Sequence, residues 1–323
     1  MLAVQLNAYG DPIDNIEVVD IPEPNPPRAG EVIVGVEYSP INPADLLLIR
    51  GYYALRPTLP AVIGNEGVGT VLAVGPGVTN VKPGDRVIPP LSSFVWRERL
   101  LLSAEGLVPL PATADPQQLA MLTVNPVTAQ LLLSEFVDLR PGDWIVQNAA
   151  NSGVGRSVIA IARDRGLRTM NIVRRQETAD EIMAAGADAA LVDGPDLVAR
   201  VNAAIGGEAI RLALDGVSGQ ATATLASIVS AGGFIACYGA MSGDQPAVNP
   251  GDLIFKQLKI GGFFLGSPEH TSKFPGLTAN GARLIESGKL KIPIAEVYPL
   301  AEIKPALVHA QAGGKVLLRI GES

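Results

Sequence analysis

The spacing of apolar residues changes character once along the chain, near Ala112. Before that point, short β-branched runs such as EVIVGVEYS (31–39), GTVLAVG (69–75) and DRVIPP (85–90) are punctuated by Pro and Gly clusters. This pattern predicts strands and no lasting helix. The segment reads as a small antiparallel, barrel-like domain, because a closed sheet hides its edges.

From PATADPQQLAMLTVNPVTAQLLLSEF (111–136) onward, apolar residues fall at helical spacing behind a Thr-Ala-Asp-Pro start. Strict alternation follows, with strands expected at 143–149, 168–174, 189–193, 210–217, 232–240 and 258–265. Helices are expected at 155–165, 177–186, 196–205 and 220–230. Alternating β and α units demand right-handed parallel crossovers, which predicts an α/β, doubly wound sheet covered on both faces. The last stretch, with helices at 275–289 and 303–312 and strands at 293–300 and 315–320, is assigned back to the first domain. The expected domains are therefore 1–117 with 268–323, and 118–267.

A length of 323 residues fits two cores, and 47% hydrophobic against 18% charged residues excludes extensive disorder. The net charge of -7 argues against a nucleic-acid partner and leaves small molecules as the expected ligands. Cys237 is the sole cysteine, and with only His270 and His309 beside it a Cys/His zinc site of usual composition cannot be built. No metal is expected. No run of about 18 uncharged apolar residues occurs and MLAVQLNAYG lacks a basic n-region, so neither a membrane span nor export is expected, and the expected location is cytoplasmic.

The stretch DWIVQNAANSGVGRSVIAIA (143–162) joins a strand to a helix through a turn holding Asn151, Ser152, Gly153, Val154 and Gly155. Glycines there let backbone amides approach a pyrophosphate, and the helix N-terminus adds partial positive charge. Val158 stands where a third glycine is usual, and a Gly-rich turn without a ligand is the competing reading. The next strand ends in Arg174 and Arg175, where an NAD site would carry a carboxylate for the ribose 2′-hydroxyl. Two guanidiniums attract a 2′-phosphate, so NADPH is the expected cofactor, the alternative being two solvated surface arginines.

INPADLLLIRGYY (41–53), GNEGVG (64–69), LTVNPVTA (122–129), GDWIVQNAANSGVG (142–155), CYGAM (237–241) and LIFKQLKIGGFFL (253–265) are long, ordered and correctly spaced. Through them the chain resembles, over nearly its whole length, the zinc-free 2-enoyl thioester reductases of the medium-chain dehydrogenase/reductase family. The resemblance implies a GroES-like β-barrel catalytic domain, a Rossmann domain, a cofactor cleft between them and a homodimer. Zinc members carry a Gly-His-Glu motif and a preceding cysteine; here Gly64-Asn65-Glu66 and INPAD (41–45) stand in their place. Hydride chemistry would then rely on a protein hydrogen-bond donor and proton route.

The resemblance makes Tyr53 the catalytic donor, with Tyr52 its adjacent competitor; a neutral phenol suits donation to a carbonyl oxygen on which enolate charge develops. It puts Trp96 near the cleft, where a core or cleft-wall position is the plainer reading, and makes Asn42 and Asp45 pocket-shaping groups. Asp45 is alternatively the cap of a helix starting at Leu46. Thr128 contacts the nicotinamide region or else caps a helix, and Gln130 stands where the family has an aromatic. Tyr238, Gly239 and Met241 end a strand at the ligand-binding edge of the sheet. Phe263 and Phe264 match a segment whose backbone faces the carboxamide, and as neighbours on a strand they point to opposite faces, so at least one is core or dimer interface. Lys315 matches a basic residue close to the cofactor.

Three functions compete: NADPH-dependent reduction of a 2-enoyl thioester, a quinone oxidoreductase using the same cofactor, and a nucleotide-binding protein without turnover. Arg50, Arg56, Arg97 and Arg99 are either a landing site for a negatively charged acyl carrier or scattered rim residues.

Overall fold

The computed structural model describes residues 1–321; Glu322 and Ser323 lie outside the described residues. The chain divides into two compact units, Met1–Val124 with Lys273–Ser323, and Asn125–Ser272. These divisions fall a few residues beyond the expected ones. The segment after Pro116 stays with the first unit because the Gln118 side chain donates to the Ile292 carbonyl at 3.0 Å and accepts from the Ile292 amide at 2.8 Å.

The first unit opens with strands β1 (Leu2–Leu6), β2 (Ile16–Asp20) and β3 (Glu31–Ile41), then helix α1 (Pro43–Ile49). Strands β4 (Ala61–Val62), β5 (Val68–Val74), β6 (Arg86–Val87) and β7 (Arg99–Ser103) and the short helix α2 (Pro116–Leu119) follow. The second unit runs α3 (Asn125–Leu132), β8 (Trp144–Gln147), α4 (Gly153–Asp164), β9 (Arg168–Val173), α5 (Gln176–Ala184) and β10 (Ala189–Val192). It continues through α6 (Leu197–Ile205), β11 (Ile210–Asp215), α7 (Gln220–Ile228), β12 (Phe234–Cys237), α8 (Pro250–Phe255), β13 (Lys259–Gly262) and α9 (Pro268–Thr271). The chain then returns to the first unit with α10 (Phe274–Glu286), β14 (Glu296–Pro299), α11 (Ile303–Ala312) and β15 (Val316–Arg319).

In the first unit β3 is the spine. It pairs antiparallel with β5, β7 and β15, so the C-terminal strand is built into the N-terminal sheet. Its burial alternates over the first six residues and becomes continuous over Ser39–Ile41, beside β15. Val4, Leu6, Val36, Leu48, Ile49, Trp96, Leu307 and Leu318 share one core, and fully burying each branched side chain contributes about 1.5–3 kcal/mol.

The second unit has six parallel strands in the order β10-β9-β8-β11-β12-β13. Chain order reverses direction between β8 and β11, and ligands of open α/β sheets bind outside the carboxyl ends of the strands at such a switch point. One face buries Val146, Met170 and Ala213 under Val201 of α6 and Leu225 of α7. On a second cluster Ala150 and Val173 pack with Ile159 of α4 and Ile182 of α5. Every expected strand of this unit forms, and most are trimmed by one to four residues. The largest trim, five residues, is at 232–240; at 258–265 β13 stops at Gly262 because its partner β12 ends at Cys237, so Phe263 and Phe264 follow the strand rather than lie within it.

Candidate active site

At the switch point, β8 leads into the turn that opens α4. Ser152 caps the helix, its hydroxyl accepting from the Gly155 amide at 3.1 Å. Helix geometry leaves the amides of Gly153 and Val154 without intrahelical acceptors. Gly155 is required by close approach: a Cβ there would lie 2.5 Å from the Ala149 carbonyl oxygen and 2.6 Å from the Ala150 Cα. Asn151 is exposed at the turn. Backbone donors at the start of a twelve-residue helix fit a pyrophosphate.

Arg174 and Arg175 follow β9 directly, both exposed, and neither side chain makes a hydrogen bond or ion pair among the described residues. Two free guanidiniums fit a 2′-phosphate.

Two polar groups tie the elements of the switch point together and were not singled out from sequence. Asn148 donates to Asp215 at 2.7 Å and accepts from the Gly216 amide at 2.8 Å, tying the end of β8 to the end of β11. Gln147, buried in β8, donates to the Gly155 carbonyl at 3.0 Å and to Asn171 at 2.8 Å, fixing the first turn of α4 on the sheet. The available signal was a Gln-Asn pair closing an otherwise apolar strand.

Tyr238, Gly239 and Met241 gather at the neighbouring loop. Gly239 packs against Gly216, and the Met241 amide bonds the Gly216 carbonyl at 3.2 Å, which leaves the Met241 side chain exposed. The Tyr238 hydroxyl is buried against Gly216 beside Ser152, without a hydrogen bond of normal geometry among the described residues; burial raises its pKa. Thr128 is buried inside α3, which starts at Asn125, so it does not cap that helix. Gln130 is also buried there, its amide donating to the Pro126 carbonyl at 3.3 Å. Phe263 is partly buried, stacked on His270 at 4.7 Å between ring centroids, while Phe264 is exposed. The expected alternation along a strand does not apply, because both residues lie past the end of β13.

The first unit assembles a second polar group around INPAD and GNE. Helix α1 starts at Pro43 behind an Asn42 cap, earlier than the expected Leu46. Asp45 therefore lies within the first turn, where one carboxylate oxygen accepts from the Asn42 amide at 2.8 Å, as the acidic member of a capping box does. Its other oxygen accepts from the Asn65 amide at 3.1 Å and the Asn65 side chain at 2.9 Å. The Asn42 side chain donates to Glu66 at 2.8 Å and accepts from Lys315 Nζ at 2.7 Å, and Glu66 also accepts from the Val124 amide at 2.7 Å. Burial pushes Asp45 up to about 6 and Glu66 up to about 7, against the opposing pull of the Lys315 charge. Burial likewise lowers the Lys315 ammonium, against the pull of Glu66 and Asp45.

Tyr53 follows α1 across the turn at Gly51. It is partly buried against the first unit's core, and burial, aided by the charge of Asp45, raises its phenol above the usual value. Tyr52 is 78% exposed. Trp96 is fully buried, its indole donating to Ser39 at 3.0 Å. A Cβ on Gly64 would fall 2.4 Å from the indole ring, so Gly64 and Trp96 are mutually required. Trp96 is thus packed in the core. Among the arginines weighed as a carrier landing site, Arg50 bonds Gln311 at 2.6 Å, Arg99 pairs with Glu23 at 2.6 Å and Arg97 donates to the Ser93 carbonyl at 3.2 Å. Arg56 is exposed.

Residues 28–110 match the Alcohol dehydrogenase GroES-like domain family and residues 153–280 the Zinc-binding dehydrogenase family. The human mitochondrial enoyl-[acyl-carrier-protein] reductase is 38% identical over 93% of this chain and 82% of its own length. Its Caenorhabditis elegans counterpart is 39% identical over 83% and 78%. Among solved structures, a putative NADPH:quinone reductase from Bacillus thuringiensis superposes with a TM-score of 0.88 at 28% identity, covering 99% of each chain. The complex of Etr1p with NADP and crotonyl-CoA also reaches 0.88, at 26% identity over 98% of this chain and 99% of that one. Escherichia coli quinone oxidoreductase with NADPH reaches 0.85 at 26% identity, over 99% of this chain and all of the other. The GroES-like and dinucleotide-binding matches, in this order and joined by relatives of such identity along nearly the full length, show that the chain belongs to the medium-chain dehydrogenase/reductase family.

Proposed function

We propose that the protein is an NADPH-dependent oxidoreductase that reduces the activated C=C bond of a 2-enoyl thioester. The observation that carries the reading is Tyr53, a neutral phenol held partly buried beside Asp45, just past the helix that leads from INPAD. When bound, NADPH supplies the hydride that reaches Cβ, leaving NADP and, once a proton has reached Cα, a saturated thioester. Tyr53 donates its hydroxyl hydrogen to the thioester carbonyl oxygen as negative charge grows there. Its raised pKa keeps it protonated across the neutral range. The turn amides of Gly153 and Val154 hold the pyrophosphate, Ser152 holds the turn, and Arg174 and Arg175 select the 2′-phosphate.

No zinc is needed in this reading. Asn65 and Asp45 fill the motif position with an amide–carboxylate bond, and neither histidine nor the cysteine belongs to that segment. Chelator-resistant turnover without stoichiometric zinc is expected; loss of activity restored by zinc alone would overturn it.

Quinone reduction is the second reading, favoured by the two quinone reductase neighbours. NADPH oxidation measured with a crotonyl thioester, an enal and a quinone separates the readings: turnover with the quinone alone selects the second, and binding without turnover selects neither.

A homodimer belongs to the same proposal. Strand β13 ends the sheet, with Ile260 on it, Ile254 and Phe255 before it and Phe264 after it all exposed, so a partner is expected to cover this edge. Among the described residues no helix is long and apolar enough to cross a membrane. A cytoplasmic location completes the reading, with fractionation as its check and a mitochondrial location, as in the named relatives, as the contrary result.

A further inference from the structure

We propose that Lys315 is a positioning residue: through Asn42 it locks the start of α1 onto the Gly64–Glu66 turn and so sets the placement of Tyr53 at the other end of that helix. The inference rests on the assignment of Tyr53 as the hydrogen-bond donor.

Lys315 stands immediately before β15, in the C-terminal part of the first unit, and Asn42 follows β3, to which β15 is paired. The β15–β3 register thus delivers the ammonium to the cap of α1. An ammonium can only donate, so at 2.7 Å it must face the Asn42 oxygen. This turns the Asn42 amide nitrogen toward Glu66, where the donor and acceptor are 2.8 Å apart. The orientation of one amide is therefore dictated from both sides, by a cation and a carboxylate. The other carboxylate, Asp45, completes the clamp with three bonds, one to the Asn42 amide and two to Asn65.

Helix α1 is only seven residues long and has no basic residue in its last turn, so little within it resists tilting. Its far end carries Gly51 and Tyr52, whose amides bond the carbonyls of Leu48 and Leu47 at 2.9 and 2.8 Å. A rotation at Asn42 thus moves the helix as a whole and, through the turn these two bonds close, the residue after it, Tyr53. Removing the ammonium leaves two buried carboxylates without their cation, and the Asn42 amide free to turn over. Contact with the cofactor is the role that the resemblance gives Lys315. That role and the present one differ in what they predict, since a cofactor contact weakens NADPH binding while a positioning contact lowers turnover.

The test compares Lys315→Met, Lys315→Arg and the charge-balanced double variant Glu66→Gln/Lys315→Met in the full-length protein. It reads kcat and KM for a crotonyl thioester, the Kd for NADPH and the ¹⁹F resonance of 3-fluorotyrosine at position 53, assigned by its loss in Tyr53→Phe. Lys315→Met should lower kcat by about 10- to 100-fold, the scale of a small misplacement. The NADPH Kd should stay within about twofold, and the Tyr53 resonance should shift or split. The double variant should recover part of kcat and return the resonance toward its original position. A weakened NADPH Kd with unchanged kcat and an unmoved resonance would refute the proposal in favour of the cofactor contact. A moved resonance with unchanged kcat would retain the positioning and reject Tyr53 as donor. Should Lys315→Met fail to fold, Lys315→Arg and the double variant are read by the same criteria, and an unmoved resonance in both would overturn the inference.

Discussion

Replacing Tyr53 by phenylalanine removes one oxygen atom and leaves the ring. Because that ring packs against the core containing Leu48 and Ile49, the variant keeps its apolar contacts and should melt close to the parent. The variant therefore probes the hydroxyl and not the packing of the ring. A single positioned donor to a developing oxyanion is worth about 10²–10³ in turnover, or about 2.7–4 kcal/mol of barrier. Burial and Asp45 hold the phenol above its ordinary pKa, so in the parent no fall in kcat from phenol ionisation should appear below about pH 10. Tyr52→Phe is the internal control: its side chain is largely in water, and its effect should stay within about twofold, as for surface sites. The assay follows NADPH oxidation with a crotonyl thioester at saturating cofactor, separating kcat from KM, with the Kd for NADPH measured independently. If Tyr53→Phe keeps kcat within about twofold while Tyr52→Phe abolishes it, the assignment is off by one residue. If both variants turn over like the parent, no tyrosine donor operates and the quinone reading gains.

Arg174→Ala/Arg175→Ala should erase a preference for NADPH over NADH of at least about tenfold, or about 1.4 kcal/mol, in direct binding titrations; equal affinities in the parent would contradict the 2′-phosphate assignment. Ile260→Lys puts a charge on the exposed sheet edge and should convert a dimer into a monomer in sedimentation velocity, whereas a parent already monomeric at micromolar concentration removes the proposed interface. Stability should also respond to pH through Asp45 and Glu66. Both hold their proton more tightly when folded, at about 6 and about 7, than unfolded at about 4. The native state therefore binds more protons in this window, and their contribution, complete below about pH 4, is lost as pH rises to about 7. Glu66→Gln should flatten that part of the melting-temperature profile, and an unchanged slope would show that Glu66 ionises normally.

Periodicity made the second unit legible. Its apolar strands, spaced by amphipathic helices, allow only right-handed parallel crossovers, and the strand-to-helix junction falls where the pattern puts it, although α4 begins at Gly153, two residues before the expected start, so that Gly153 and Gly155 are helical rather than in the turn. The strand ends were less legible, because pairing ends where the neighbour ends: Phe263 looks like strand, and only the length of β12 stops β13 before it. Trp96 was readable as a residue near the cleft or in the core, and its contact with Gly64 decides for the core. Asp45 was readable as a cap, although its place inside the first turn depends on where α1 begins. Least legible was the joining of Asn42 to Lys315, 273 positions apart. No local pattern signals such a contact, which exists because β15 pairs with β3. Resemblance singled out Lys315, and packing alone shows what its ammonium touches.

The most direct test of the account is product stoichiometry: the purified protein is incubated with NADPH and a crotonyl thioester, and the NADPH consumed is compared with the butanoyl thioester formed. The account predicts equimolar conversion to the saturated thioester, with no zinc added and with the rate lowered at least about 100-fold by Tyr53→Phe. NADPH consumption that yields no saturated thioester, or that occurs only when a quinone is present, would contradict it.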